Sequence, residues 1–369
     1  MADALITQHG PIPFPAFLPD ATRAGVRGAT SDDLRAIGIP ALVVNAFHLL
    51  QRPGVRVVQA GGGVHQFMHW DRPVLSDSGG FQVYSLIRQN PDNGVIRANE
   101  VIFRNPTDGS RITLTPEKVV QMQFQLGSDI IVCLDDCTDT GSDRDEQARS
   151  VERTLRWAKR SRVEFDRRVS QLRDPEKRPL LFAVVQGGDD EELRKGCAAE
   201  LTAIGFDGFG FGGWPLGPDG ALLQEVLGWV ANALPAEAPK HALGIGRMDH
   251  VVAAHALGFR MFDCSLPTRD ARHGRLYAFK PGFPQRVPQP GESFFSTVYM
   301  LDAQMHADHA PVDAGCDCPL CSNYSRAYLH HLFRIGDHSA ERLATLHNLR
   351  AYVRLMDALR GGDNPSPRG

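Results

Sequence analysis

Short apolar runs recur along the chain, and most end on a polar residue or a glycine. They are Pro15–Asp20, Ala41–Asn45, Val74–Asp77, Asp129–Asp135, Leu180–Gln186, Gly208–Gly213, Ala242–Gly246 and Arg260–Ser265. Near-continuous apolar runs of this length suit parallel strands covered on both faces. Amphipathic stretches lie between most of them. One helix opens at Asp32 after Ser31, a residue type that caps helices well. Another spans Pro116–Leu126, with Thr115 ahead of Pro116 as its start signal. Further helices are predicted over Asp143–Arg168, Asp189–Ile204, Asp219–Ala233 and Met248–Leu257. Eight strands alternating with helices predict an α/β fold, a (β/α)8 TIM barrel. An open doubly wound sheet is the alternative, but no G-x-G-x-x-G follows a strand.

Two stretches interrupt the alternation. Phe81–Thr115 carries two alternating runs, Gly94–Phe103 and Ser110–Leu114, about Asn105, Pro106, Thr107, Asp108 and Gly109. They predict a β-hairpin excursion near the barrel mouth. Pro281–Ala314 reads as irregular and leads to a cysteine cluster. The expected division is a catalytic barrel over 1–280, a zinc-binding subdomain with C-terminal helices over 281–360, and a disordered Gly/Pro-rich tail over 361–369.

Composition changes this picture little. The chain has 369 residues, 42% hydrophobic and 22% charged, which suits a large globular core. Its net charge of −3 excludes a global basic field, so nucleic acid would have to bind through local patches. No signal peptide and no membrane-length apolar run is evident, and a reducing cytoplasm is the expected setting. The seven cysteines are odd in number. Cys316, Cys318 and Cys321 crowd one loop, which reads as a metal site rather than a disulfide framework. His330, His331, His338 or His347 could supply a fourth ligand for a structural Zn2+. His347 is preferred, because a helix over Ser339–Leu359 would carry it back to the loop.

Three strand ends carry acids: Asp77, Asp135 and Asp263. Such ends converge on the active site of a barrel. Two carboxylates in one pocket permit double displacement at an anomeric carbon, and a third could accept from a base's ring N–H groups. Each acid alone could instead cap a helix. Gly79 and Gly80 after Asp77 would let backbone approach a ligand, with Phe81 offering a face for stacking. Gln186 ends another strand and can both donate and accept. Arg269, Arg272, Arg275 and Lys280 follow Asp263 and suit phosphate. Arg326, Arg334, Arg342, Arg350 and Arg354 read better as a solvated helix face.

Together these residues resemble the tRNA-guanine transglycosylase family, the base-exchange enzymes of the queuosine and archaeosine pathways. The resemblance runs from about Phe14 to the His347 region. It rests on W-D-R-P-V-L-S-D-S-G-G-F-Q-V at Trp70–Val83, L-T-P-E-K at Leu114–Lys118, and L-G-S-D-I at Leu126–Ile130. D-D-C-T at Asp135–Thr138, V-Q-G-G at Val185–Gly188, M-F-D-C-S-L-P-T-R at Met261–Arg269 and the cysteine pattern complete it. It implies a barrel with an attached zinc subdomain, Asp263 as nucleophile at ribose C1′ of the wobble guanosine of tRNA, and Asp77 as proton acceptor. It implies that Asp77, Ser78, Gly79, Gly80, Phe81, Asp135, Cys137, Gln186 and Gly213 surround guanine or an incoming 7-deazaguanine base. Gly244, Ile245, Gly246, Arg247, Met248, Asp249 and His250 match one segment that the family uses on tRNA. Thr268, Arg269, Asp270, Ala271 and Arg272 match another. A homodimer is also implied.

Three segments depart from the family's bacterial pattern. Gly212–Pro218 reads G-G-W-P-L-G-P where G-G-L-A-V-G-E is usual, so Pro218 replaces a glutamate and Trp214 and Pro215 stiffen the loop. Asp270 and His273 replace asparagines, and Asp270 is expected to weaken attraction for phosphate. Asp139–Gly141 replaces P-Y-P. The residues leave two rivals: an N-glycosidase acting on nucleosides, and a noncatalytic tRNA-binding subunit.

Overall fold

The computed structural model describes residues 3–88, 90–105, 109–139 and 141–363. Eight parallel strands form one sheet: β1 (Ala16–Pro19), β2 (Leu42–Asn45), β3 (Val74–Asp77), β4 (Ile130–Val132), β5 (Leu180–Val185), β6 (Gly208–Phe211), β7 (Lys240–Ala242) and β8 (Met261–Cys264). Each pairs with its sequence neighbour, and β8 returns to β1 with Asp263 opposite Leu18. A parallel bridge between Asp20 and Val43 closes the ring, with the Ala21 N–H donating to the Val43 carbonyl at 2.7 Å. The result is the expected (β/α)8 barrel.

Period-2 alternation sorts the strand residues. Leu18, Val43, Leu75, Val132, Phe182, Val184 and Met261 share the cluster inside the barrel. Ile12 and Phe14 join it from a hairpin of Ala4–Thr7 and Gly10–Pro13 that plugs the base. His9 and His65 fasten this plug to Asp129, at 2.8 Å and 3.0 Å. Their rings stack 3.6 Å apart and nearly parallel. Ring nitrogens in separate parallel planes cannot both aim lone pairs at one ion, so the trio is a hydrogen-bonded clamp. The final helix, His338–Asp363, packs Leu346, Leu349 and Val353 into one part of the outer core and Tyr352, Leu355, Met356 and Leu359 into another.

Several local expectations change. The excursion is a three-stranded sheet of Gly94–Ile96, Val101–Arg104 and Arg111–Leu114, because Arg97–Glu100 turns within the first run. Pro106, Thr107 and Asp108 lie outside the described residues. The first helix is capped by Thr30, whose hydroxyl accepts from the Asp33 N–H, while Ser31 already lies inside it. β7 starts two residues early and stops at Ala242, since Gly244 takes φ +73°. Three short helices over Ala46–Met68 were not anticipated. The helix expected from Asp219 begins at Gln224, after a Leu216–Leu222 bridge. Pro281–Ala314 holds a strand, Phe295–Tyr299, paired with Arg275–Phe279. The last helix continues through Asp363, into the segment expected to be a disordered tail, and residues 364–369 lie outside the described residues.

Candidate active site

The C-terminal strand ends open on a cleft of about 490 Å³. Asp77, Ser78, Gly80, Phe81, Asp135, Cys137, Gly213, Gly244 and Asp263 all line it. The three acids therefore meet, from β3, the loop after β4, and β8. Asp77 keeps some contact with the open cleft, but protein crowds its carboxyl. Burial pushes its pKa up to about 8, and the charges of Asp263, Asp135 and Asp20 add to the rise. A 3.4 Å contact from Asn45 Nδ2 opposes this only weakly. Burial raises Asp135 to about 6, although Gln186 Nε2 donates to it at 2.6 Å. Asp263 Oδ1 accepts from the Gly244 N–H at 3.1 Å.

The glycines here make room. A Cβ on Gly80 would stand 2.2 Å from Asp135 Oδ1, and one on Gly212 would stand 2.4 Å from Gln186 Nε2. Gly79 adopts φ +93° and backs onto Phe47. Gln186 does not line the cleft itself; it fixes Asp135 from behind. Phe81 and Trp214 flank the cleft edge-to-face, with ring centroids 5.3 Å apart. Trp214, Pro215 and Leu216 contribute wall. Pro218 is exposed at the tip of the small turn closed by the Gly217–Ala221 hydrogen bond. Cys137 is buried, which raises its thiol pKa and keeps it protonated.

The two segments matched to tRNA contact are divided by burial. Ile245, Gly246, Met248, Thr268, Asp270 and Ala271 face inward, whereas Gly244, Arg247 and Arg269 are exposed. Arg247 pairs with Asp249 at 2.8 Å, beside half-buried His250. Arg272 donates to the Thr268 carbonyl. Asp270 accepts from the Tyr277 hydroxyl at 2.7 Å, so its charge is tied inward rather than displayed to phosphate. Arg275 stands 3.7 Å from Asp270, and Lys280 bonds Ser293. Arg326, Arg342, Arg350 and Arg354 pair with Asp308, Asp33, Asp317 and Asp313; Arg342 lies on a solvated face as expected, whereas Arg354 is buried with its partner and departs from that expectation.

Several residues in or behind the cleft carry no expectation from the sequence. Asp20, Thr22, Asn45 and His48 also line the cleft. Asp20 and Asn45 end apolar runs, so the rule that found Asp77 would have found them. Arg194 is a different case. Its fully buried guanidinium donates to the carbonyls of Val185, Gly188 and Gly212, and it lies over Phe211. It ties the ends of β5 and β6 together from a helix that reads as surface. His241, buried beside Asp263, was also missed.

Away from the cleft, Cys316, Cys318, Cys321 and His347 bring four ligand atoms within 4.8 Å of one another. His347 Nδ1 faces the sulfurs of Cys318 and Cys321 at 3.4 Å and 3.2 Å. His347 Nε2 lies 2.7 Å from the Tyr277 carbonyl. A proton on Nε2 would bond that carbonyl and leave Nδ1 as a ligand, the usual arrangement behind a metal-bound imidazole. The donor set could hold a metal ion and fits zinc. Among the described residues, no helix is long and apolar enough to cross a membrane.

Comparison with known proteins agrees with this geometry. The family model described as Queuine tRNA-ribosyltransferase matches residues 2–362. Proteins of that name from Shewanella sp. (strain W3-18-1) and Shewanella putrefaciens are each 41% identical over 359 residues, covering 97% of this chain and 88% of theirs. The counterpart from Shewanella halifaxensis matches at the same identity and coverage. This chain therefore belongs to the queuine tRNA-ribosyltransferase family.

Proposed function

We propose that this chain is a tRNA-guanine transglycosylase, a pentosyltransferase that exchanges guanine for a 7-deazaguanine base at the anticodon wobble position in queuosine modification. The observation that carries the reading is three acids from separate strand ends facing one cleft, one with its pKa raised to about 8.

Asp263 acts as nucleophile. Its carboxylate attacks ribose C1′, forming a C1′–O bond as the C1′–N9 bond breaks. The electron pair leaves with guanine. Asp77 is protonated at neutral pH and gives its proton to the departing base. The incoming deazaguanine then surrenders its ring N–H proton to Asp77, which is the proton-acceptor role expected from the sequence. Its nitrogen attacks C1′ and displaces Asp263 as carboxylate. Asp135, oriented by Gln186, accepts from the base's N–H groups. Ser78, Gly79, Gly80, Gly213 and Cys137 shape the pocket, and Phe81 stacks on the base. Arg247, Arg269 and Arg272 hold tRNA phosphates.

The donor set of Cys316, Cys318, Cys321 and His347 supports one structural zinc per chain, which would brace the subdomain without entering the reaction. A homodimer, which rests on the family resemblance, and a cytoplasmic setting, which rests on the sequence, belong to the same proposal.

Base exchange into tRNAs with a G-U-N anticodon tests the reading. Asp263→Ala is expected to lower exchange at least ~1000-fold and to remove the covalent tRNA adduct on a denaturing gel. Guanine release undiminished in that variant would overturn the mechanism. Assayed with several deazaguanines, the wild-type protein is expected to use the charged aminomethyl base poorly, because Trp214, Pro215 and Leu216 wall the cleft where Pro218 supplies no carboxylate. Efficient, selective use of that base would overturn this part.

A further inference from the structure

One buried group that the mechanism above leaves unused lies against the nucleophile. His241 is the middle residue of β7 and is 1% exposed. It stands opposite Met261 in the ladder with β8. Asp263 lies two residues further along β8, so it is the diagonal neighbour of His241 on the same face. Nε2 of His241 is 2.9 Å from Asp263 Oδ1. The contact is close but out of line, and among the described residues Nε2 makes no hydrogen bond. A buried polar nitrogen left so is costly, and the nearby Asp263 oxygen is an acceptor that would offset the cost.

We propose that His241 is a positioning residue for Asp263, holding Oδ1 from one side while the Gly244 N–H holds it from the other. The inference rests on Asp263 being the nucleophile. With the imidazole proton on Nε2, both donors grip a single oxygen. The second carboxylate oxygen is then the one presented to ribose C1′. In this role His241 transfers no proton. Its effect is geometric in the first displacement, where the free oxygen must approach C1′ in line. In the second displacement the same two donors stabilise the carboxylate as its bond to C1′ breaks and its charge returns. Donors fixed in a barrel wall need no reorganisation at either step, which is why a buried strand residue suits the task better than a loop residue.

The test compares His241→Phe with His241→Gln. Phenylalanine keeps the bulk and loses the donor. Glutamine places an amide N–H near the position of Nε2. Guanine exchange into tRNA is measured with all three proteins at saturating and limiting tRNA, alongside the rate of adduct formation. His241→Phe is expected to lower kcat and adduct formation about 10- to 100-fold, the scale of an ångström-sized misplacement, with KM for tRNA within about twofold of wild type. His241→Gln is expected to recover kcat to within about fivefold of wild type. Wild-type kcat in His241→Phe would overturn the proposal. So would an equal loss in both variants, since that marks shape rather than donation. Absence of exchange in the wild-type protein would overturn the transglycosylase reading itself, and this inference with it.

Discussion

Two acids of this barrel are crowded by protein and shift in opposite directions. Asp129, beside the base, is driven up by burial, but His65, the Val74 N–H and His9 more than offset this and its pKa falls. Asp77, at the other end, is driven up by burial and then further by three neighbouring carboxylates, reaching about 8. The difference lies in the partners. Asp129 has a donor on both oxygens, at 2.8 to 3.1 Å. Among the described residues, Asp77 has one long contact, from Asn45. Burial alone therefore does not decide whether a carboxylate is structural or chemical; the supply of donors does. One end of the barrel uses a satisfied acid to fasten the chain. The other leaves an acid poorly satisfied, and its carboxyl holds a proton up to about pH 8.

The sharpest way to break this contrast is Asp77→Asn, which keeps the shape and removes the proton. Base exchange is expected to fall about 10²- to 10⁴-fold. Wild-type exchange needs Asp77 protonated at the start, so its rate should decline as pH rises through about 8, and the residual rate of the variant should lack that limb. A wild-type profile flat from pH 6 to 9 would contradict the assignment. Asp129→Ala strands the Val74 and His9 N–H groups and both imidazoles. It is expected to cost about 3 kcal/mol in denaturant unfolding while leaving kcat per folded molecule unchanged. A lowered pKa stabilises the fold above the unfolded value of 3.8, so the gap between wild type and Asp129→Ala should shrink as pH falls below about 4. The same acid also predicts the pH dependence of the stability of Asp77→Asn. For an acid raised in the fold, stability is full below 3.8 and is lost as pH rises to about 8. Asp77→Asn should therefore melt progressively higher than wild type as pH rises from about 4 to about 8, and should equal it near pH 4.

The barrel was legible because its strands are short apolar runs ended by polar residues, and those endings also located Asp77, Asp135 and Asp263. Asp20 and Asn45 carried the same signature. β7 was misplaced because the apolar letters of Ala242–Gly246 belong partly to a glycine-bent loop, while Lys240 and His241 look like loop and are strand. That shift of two residues hid His241. Arg194 left no trace, since its partners are backbone carbonyls brought together only by folding. The N-terminal plug was missed for a similar reason: Ile12 and Phe14 are isolated apolar letters until the barrel offers them a base to close.

Arg194 has a consequence for how this cleft can diversify. One guanidinium roots both the β5 loop, which fixes Gln186 behind Asp135, and the β6 loop, which begins at Gly212. The root is common, but the rim of the second loop, Trp214–Leu216, is free of it. Substitutions at the rim would reshape the cleft wall without disturbing the Gln186–Asp135 hydrogen bond. On the proposed function, recognition of the purine core and tolerance at its seventh position would be separable traits in one chain, set by two loops that share a root.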